Sequence, residues 1–148
     1  LLAGIGEQDR DLLGSLVAMR TLDADQVRVM NFIPQQGTPL ETVPGTNADR
    51  ETHLIAIMRL LFPDRLIPAS LDVDGLDGLP KRLNAGANVV TSIIPPGRRL
   101  ADVAQSRLDI DDSPRTTAGV VPVLKDNGLR PGTIHTYQSW LAQQRRMN

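Results

Sequence analysis

The sequence predicts an α/β fold: the C-terminal half of a (βα)8 TIM barrel, with parallel strands joined by crossover helices. Three observations carry this. Strand-like and helix-like stretches alternate along the chain, the connecting stretches have crossover length, and the apolar strand runs end in polar groups. In such architectures ligands sit at the carboxyl ends of the strands, where the connecting loops open. In LIPASLDVDG, Leu66 to Gly75, an apolar run stops and Ser70, Asp72 and Asp74 follow at alternate positions. Gln26 to Ile33 carries Arg28, and Asn88 to Ile94 carries Thr91 and Ser92. Three neighbouring strand ends with polar groups are expected to share one pocket.

In chain order, Leu1 to Ile5 is a short apolar strand end closed by Gly6. A helix follows, with Asp9 or Asp11 as its acidic first turn and Leu12, Leu13, Leu16, Val17 and Met19 on its apolar stripe. Gln26 to Ile33 alternates, with Val27, Val29, Asn31 and Ile33 on one face and Arg28, Met30 and Phe32 on the other. An arginine within a strand needs a partner, so Arg28 is either a core residue satisfied by an acid on the next strand or a guanidinium set to fork onto a ligand carboxylate. Pro34 to Asp49, with three prolines and two glycines, is a long loop. Asn47 or Asp49 caps a helix over Arg50 to Leu61, with Leu54, Ile57, Met58 and Leu61 buried and His53 at the surface.

Arg65 to Ser70 is the next strand, followed by a short helix over Leu76 to Ala85 that ends at Gly86, a residue suited to a left-handed cap. Asn88 to Ile94 is apolar enough to be buried on both faces, and Pro95, Pro96 and Gly97 stop it. Ala101 to Asp112 is irregular and acidic; Asp109, Asp111 and Asp112 lack the glycine turn and distal glutamate of a calcium loop. Ser113 and Pro114 open a helix that runs to Asn127, kinked by Pro122 and ended at Gly128. A last helix, His135 to Arg146, presents Tyr137, Trp140 and Leu141 to the domain. Four such units in the 148 residues are close to half of a barrel that needs about 250 residues, so residues 1–148 are expected to be the carboxyl-terminal portion of a longer domain.

Composition narrows the function classes. The balance of 16 Lys plus Arg against 17 Asp plus Glu offers no field of one sign to recruit nucleic acid or an anionic membrane. No apolar run approaches the roughly 18 residues of a membrane span, so a soluble, cytoplasmic protein is expected. There is no cysteine, which excludes disulfides, thiolate nucleophiles and thiolate-bound clusters held by these residues.

Two groups of motifs then give a resemblance that covers essentially the whole chain. VRVMNFIPQQGTPLE, with its proline-bearing tip and GTPLE loop, resembles radical S-adenosylmethionine enzymes of the biotin synthase group, and LLAGIGE resembles the tail of their G-x-I-x-G-x-x-E motif, with Leu2, Gly4 and Glu7 in its last three fixed places. The first glycine of that motif falls before Leu1. RLIPASLDVDG and RLNAGANVVTSIIPP are similar to the methylornithine synthases of pyrrolysine biosynthesis within that group. The glycine motif is short and weakly specific; the two long runs together are strongly so.

The resemblance implies S-adenosyl-L-methionine and a [4Fe-4S] cluster as cofactors, the cluster held by a CxxxCxxC loop in an amino-terminal half, so that residues 1–148 alone are expected to be inactive. It implies reductive cleavage of S-adenosylmethionine to a 5′-deoxyadenosyl radical, hydrogen abstraction from L-lysine, and fragmentation and recombination to 3-methylornithine. Leu2, Gly4 and Ile33 would contact S-adenosylmethionine, Gly4 by keeping the backbone close and Leu2 by facing the adenine. Arg28 would bind the substrate carboxylate; Ser70 and Asp72 would contact substrate from the next strand, and Thr91 and Ser92 would close the pocket. No catalytic acid, base or nucleophile and no metal ligand is assigned to this chain. Two alternatives stay open: another enzyme of the group, such as a biotin synthase or a maturase, and a non-catalytic half-barrel that binds a small anion or an amino acid.

Overall fold

The computed structural model describes residues 1–95 and 115–147. The described chain alternates as β1 (Leu2–Ala3), α1 (Asp9–Thr21), β2 (Met30–Asn31), α2 (Ala48–Leu61), β3 (Pro68–Ser70), α3 (Leu79–Asn84) and β4 (Val89–Thr91), followed by helices α4 (Thr117–Asp126) and α5 (Ile134–Met147). Every strand pairing is parallel. Leu2 lies beside Met30 and Ala3 beside Asn31, while Pro68, Ala69 and Ser70 lie beside Val89, Val90 and Thr91. A single parallel bridge, Gln26 with Leu66, joins these two ladders.

The strands are shorter than the apolar runs that encode them, because the second run divides its hydrogen bonds between two neighbours. At its start the Val27 amide donates to the Leu66 carbonyl at 3.0 Å and the Leu66 amide to that of Asp25 at 3.0 Å. At its end the Met30 and Phe32 amides donate to the Leu1 and Ala3 carbonyls at 2.9 and 2.7 Å. The four strands thus follow chain order, joined at the amino ends between the second and third, and those two part toward their carboxyl ends.

Alternation decides which face of the sheet the helices cover. Ala3, Val27, Val29, Ile67, Ala69 and Leu71 are all buried, and they form the core with Leu12 and Leu16 of α1, Leu54, Ile55 and Met58 of α2, and Leu79 and Leu83 of α3. Leu2 and Met30, paired on the opposite face, are exposed. The fourth strand, expected to be buried on both faces, is only half-buried along Val89–Thr91 and leaves Ile93 exposed, because among the described residues it pairs with β3 alone.

Several local expectations are corrected. Leu13 and Val17 of α1 are exposed, since the helix packs on the core along Leu12, Leu16 and the half-buried Met19; Leu13 instead lines an open groove of about 660 Å³ between α1 and α2. In α2 the buried stripe includes Ile55 and Glu51 rather than Leu61, which is exposed at the helix end. Asn47 is its cap and accepts from the Arg50 amide at 2.8 Å. The third helix begins only at Leu79, because Pro80 fits a first turn and residues 72–78 form turns. Gly86 takes the expected left-handed conformation at φ +110°. Thr116 caps α4, accepting from the Gly119 amide at 3.3 Å. The stop at Pro96 and Gly97, the acidic segment with Asp109, Asp111 and Asp112, and the Ser113–Pro114 helix start lie outside the described residues.

The last helix docks through polar groups more than through an apolar side. Trp140 stacks on Tyr137 at 5.9 Å and donates its indole N–H to the Asp64 carbonyl at 2.8 Å, while Tyr137 stays half exposed. Gln144 is buried and accepts from Arg65, whose guanidinium also meets Asp23 and Asp25. Among the described residues no helix is long and apolar enough to cross a membrane.

The core also contains an ion cluster. Arg82, 2% exposed, donates from Nε and Nη2 to the two oxygens of Glu51 at 3.0 and 2.8 Å, and from Nη2 to Asp74 at 2.9 Å. The Asn31 amide donates to the same Glu51 at 2.9 Å. Burial opposes the charge on Arg82, but the two carboxylates overcome it and its pKa is raised. Removing one member of such a group strands a buried charge. Glu51→Ala or Arg82→Ala should therefore lower stability by about 3–5 kcal/mol in urea unfolding, whereas Arg82→Met combined with Glu51→Met should recover most of that loss.

Candidate active site

Asp72 is the centre of the polar group at the carboxyl end of β3. Its Oδ2 accepts from the hydroxyls of Ser70 at 2.6 Å and Ser92 at 2.7 Å, and those hydroxyls lie 3.3 Å apart. Its Oδ1 is 3.5 Å from Nη1 of Arg115, and Arg28 approaches Oδ2 with Nη2 at 3.9 Å. Ser92 reaches this position because its backbone turns into the left-handed region at φ +65°, just beyond β4. Strain at a non-glycine residue is held here by the hydrogen bond that its hydroxyl donates to Asp72.

Burial works against ionisation of Asp72, but the hydroxyls of Ser70 and Ser92, and then Arg115 and Arg28, hold its pKa below the ordinary aspartate value. The carboxyl is thus a carboxylate at neutral pH. Among the described residues, two guanidinium groups surround this one carboxylate and leave one net positive charge.

Of the residues singled out from the sequence, Arg28, Ser70, Asp72 and Ser92 come together. Arg28 is neither free nor consumed: its Nη2 stands beyond hydrogen-bond range of Asp72, and its buried Nε has no partner among the described residues. Thr91 pairs with Ser70 in the ladder, and its hydroxyl turns to the Ala69 carbonyl at 3.5 Å. Leu2 lies on the uncovered face of the sheet beside Met30, and Ile33 follows β2 in a half-buried position.

Gly4 sits at φ +98° where the loop after β2 crosses over it; a Cβ there would stand 2.7 Å from the Gly45 carbonyl carbon and closer still to the Thr46 nitrogen. The glycine is therefore required by the chain's own backbone. Its amide N–H donates to both oxygens of Glu7 at 3.0 and 2.9 Å, and the Ile5 amide adds a third bond at 2.9 Å. Burial pushes the Glu7 carboxyl up, but these amides and Arg50 hold it below its ordinary value. Leu2, Ile5 and Met30 leave exposed apolar side chains near this tight turn, a chemistry compatible with covering a flat heteroaromatic ring.

Comparison with known proteins decides the family. The 3-methylornithine synthases of Methanosarcina barkeri and Methanosarcina acetivorans are 47% and 45% identical to this chain over 141 residues, 95% of its length. A crystal structure of methylornithine synthase superposes with a TM-score of 0.86 at 44% identity, covering 95% of this chain and 42% of that one. The chain belongs to the 3-methylornithine synthase family. Its array is therefore that of a (βα)8 barrel of the radical S-adenosylmethionine class. It spans about 40% of the length of the 3-methylornithine synthases it matches. The biotin synthase of Streptomyces avermitilis is 39% identical, over 43% of the chain. No protein-family profile matches the chain.

Three residues at this end of a 3-methylornithine synthase barrel escape a reading of strand ends alone. Arg115, Glu51 and Arg82 belong to helices or their approaches, and each is buried through a partner distant in sequence. Only the burial of charged residues inside apolar helical stripes, Glu51 among Leu54, Ile55 and Met58, could have signalled them.

Two measurements test the geometry. Gly4→Ala should destabilise by more than Gly6→Ala, because both glycines have positive φ but only Gly4 would carry a Cβ into neighbouring backbone, and thermal unfolding of the two variants checks the difference. The lowered pKa of Asp72 makes it a source of stability above the unfolded aspartate value that is lost as pH falls through the folded value. Wild-type protein should thus lose more stability than Asp72→Asn on acidification from about pH 5 to pH 2.5, followed by urea midpoints.

Proposed function

We propose that the full-length protein is a radical S-adenosylmethionine mutase that converts L-lysine to (3R)-3-methyl-D-ornithine in pyrrolysine biosynthesis, an intramolecular transferase among the isomerases. Residues 1–148 would be the carboxyl-terminal portion of its barrel domain, supplying the substrate contacts and part of the S-adenosylmethionine site. The observation that carries this reading is the convergence of Arg28, Ser70, Asp72 and Ser92 at adjacent strand ends, in a chain 47% identical to a 3-methylornithine synthase.

The residues suit a diamino acid. Arg28 keeps donors clear of Asp72 and can fork onto the α-carboxylate. Asp72, held ionised, attracts an ammonium group, with Ser70 and Ser92 fixing the carboxylate that receives it. Thr91, beside Ser70 in the ladder, lines the same strand end. Leu2, Gly4 and Ile33 would hold S-adenosylmethionine against the uncovered apolar face near β1 and β2. The cofactor and its [4Fe-4S] cluster supply radical chemistry when bound. Since this chain has no cysteine, the CxxxCxxC ligands belong to the amino-terminal part of the domain. A reduced cluster also suits the cytoplasm.

A biotin synthase-like activity is the weaker reading, because those relatives match less than half of the chain and the cluster favours a zwitterionic substrate. In the full-length protein Arg28→Lys should weaken L-lysine binding by ~1.5–3 kcal/mol although the charge is kept, since an ammonium cannot reproduce the planar fork. Calorimetry on folded, cluster-loaded protein makes the measurement. Unchanged affinity would remove Arg28 from the site.

A further inference from the structure

Arg115 precedes α4 and is 5% exposed, yet no alternation or strand end leads to it. Its carbonyl accepts from the Ile94 amide at 2.7 Å, which ties it to the segment after β4. Its Nη1 donates to the Leu71 carbonyl at 2.9 Å and lies 3.5 Å from Oδ1 of Asp72. One buried residue therefore holds the segment after β4 through its backbone and the carboxyl end of β3 through its side chain, which touches the carboxylate on which the candidate site is centred.

We propose that Arg115 is the positioning residue of the substrate pocket: by engaging Oδ1 of Asp72 it aims Oδ2 at Ser70 and Ser92 and keeps the carboxylate from closing on Arg28. This rests on the reading of the Asp72 group as the amino-acid site. The division of the two oxygens supports it. Oδ2 receives both hydroxyls, Oδ1 faces Arg115, and Arg28 is held at 3.9 Å, within attraction but outside a hydrogen bond. A carboxylate released from Arg115 could turn toward Arg28, consume its fork and remove the donors that a substrate carboxylate needs. Anchoring to the Leu71 carbonyl fixes the guanidinium, so that it acts on Asp72 without moving into the pocket. Among the described residues the groups facing Asp72 are Arg28, Arg115 and the hydroxyls of Ser70 and Ser92; loss of Arg115 removes one of two cations and makes Asp72 easier to protonate.

The test is calorimetric titration of L-lysine into full-length, cluster-loaded protein with S-adenosylmethionine present, repeated across the acid range. Arg115→Gln should raise Kd about tenfold or more and move the acid limb of binding to higher pH. Arg115→Lys keeps the charge, so it should return the limb toward its wild-type position while recovering only part of the affinity, since the shorter lysine stem stops its ammonium short of the point from which Nη1 reaches both Leu71 and Asp72. A folded Arg115→Gln protein with wild-type affinity and an unmoved limb overturns the proposal. Should that variant not fold, Arg115→Lys decides alone, and wild-type affinity overturns it. Arg28→Lys and Asp72→Asn separate the two readings. If both weaken binding and Arg115→Gln does not, only the role of Arg115 falls; if neither does, the amino-acid site and the role of Arg115 fall together.

Discussion

Among the largest fully buried side chains of the described protein is a charged one, and the upper half of the structure depends on it. Arg82 gathers Glu51 from the first turn of α2 and Asp74 from the turns after β3, and through Glu51 it reaches Asn31 at the end of β2. Desolvating such a guanidinium is costly, so its geometry must be well satisfied or the charge becomes a liability. Two hydrogen bonds to one carboxylate and one to another, from Nε and Nη2, meet most of that demand and leave Nη1 without a hydrogen bond among the described residues; they also fix where two strand ends and two helices stand. The turns that present Asp72 start from this fixed base.

Above that base the sheet opens. The second and third strands share one bridge, Gln26 with Leu66, while the ladders on either side run to the carboxyl ends. Separation leaves room between Arg28 on one side and Ser70, Asp72 and Ser92 on the other. The hydroxyls and carboxylate are close enough to organise one another, but the guanidinium of Arg28 is held a little apart. A guanidinium within attraction of a carboxylate but beyond hydrogen-bond range keeps its planar fork available, which is what the proposed carboxylate ligand would use.

The amino ends of the strands use the same chemistry for another purpose. Arg65 collects Asp23, Asp25 and Gln144, and Arg59 donates to the carbonyls of Phe62, Pro63, Arg65 and Gly86. These contacts consume their donors on neighbouring backbone and side chains and seat α5 beneath the sheet. In a (βα)8 barrel the amino-terminal face serves stability and the carboxyl-terminal face serves binding. Three arginines of the described residues divide accordingly: Arg59, through Nε and Nη1, and Arg65 hydrogen-bond to the structure around them, whereas the Arg28 side chain stands beside Asp72 beyond hydrogen-bond range.

The sequence by itself determined the order of strands and helices, their parallel sense, the alternation of the second strand, and the choice of Arg28, Ser70, Asp72 and Ser92 as residues that share an end of the sheet. Those properties are local or periodic: a strand repeats every two residues, crossovers of this length force parallel pairing, and polar groups just past an apolar run emerge at its end. Helix boundaries were harder, because Thr116 and Leu79 start their helices where capping and the first-turn proline settle the backbone, not where the apolar runs begin. Only tertiary structure decided that Leu13 and Leu61 face an open groove, that Gly4 is a glycine because Thr46 passes over it, and that Arg82 and Arg115 are buried. Each of these depends on a partner 30 or more residues away, and a charged side chain reads as solvent-facing until the fold brings the carboxylate that lets it be buried.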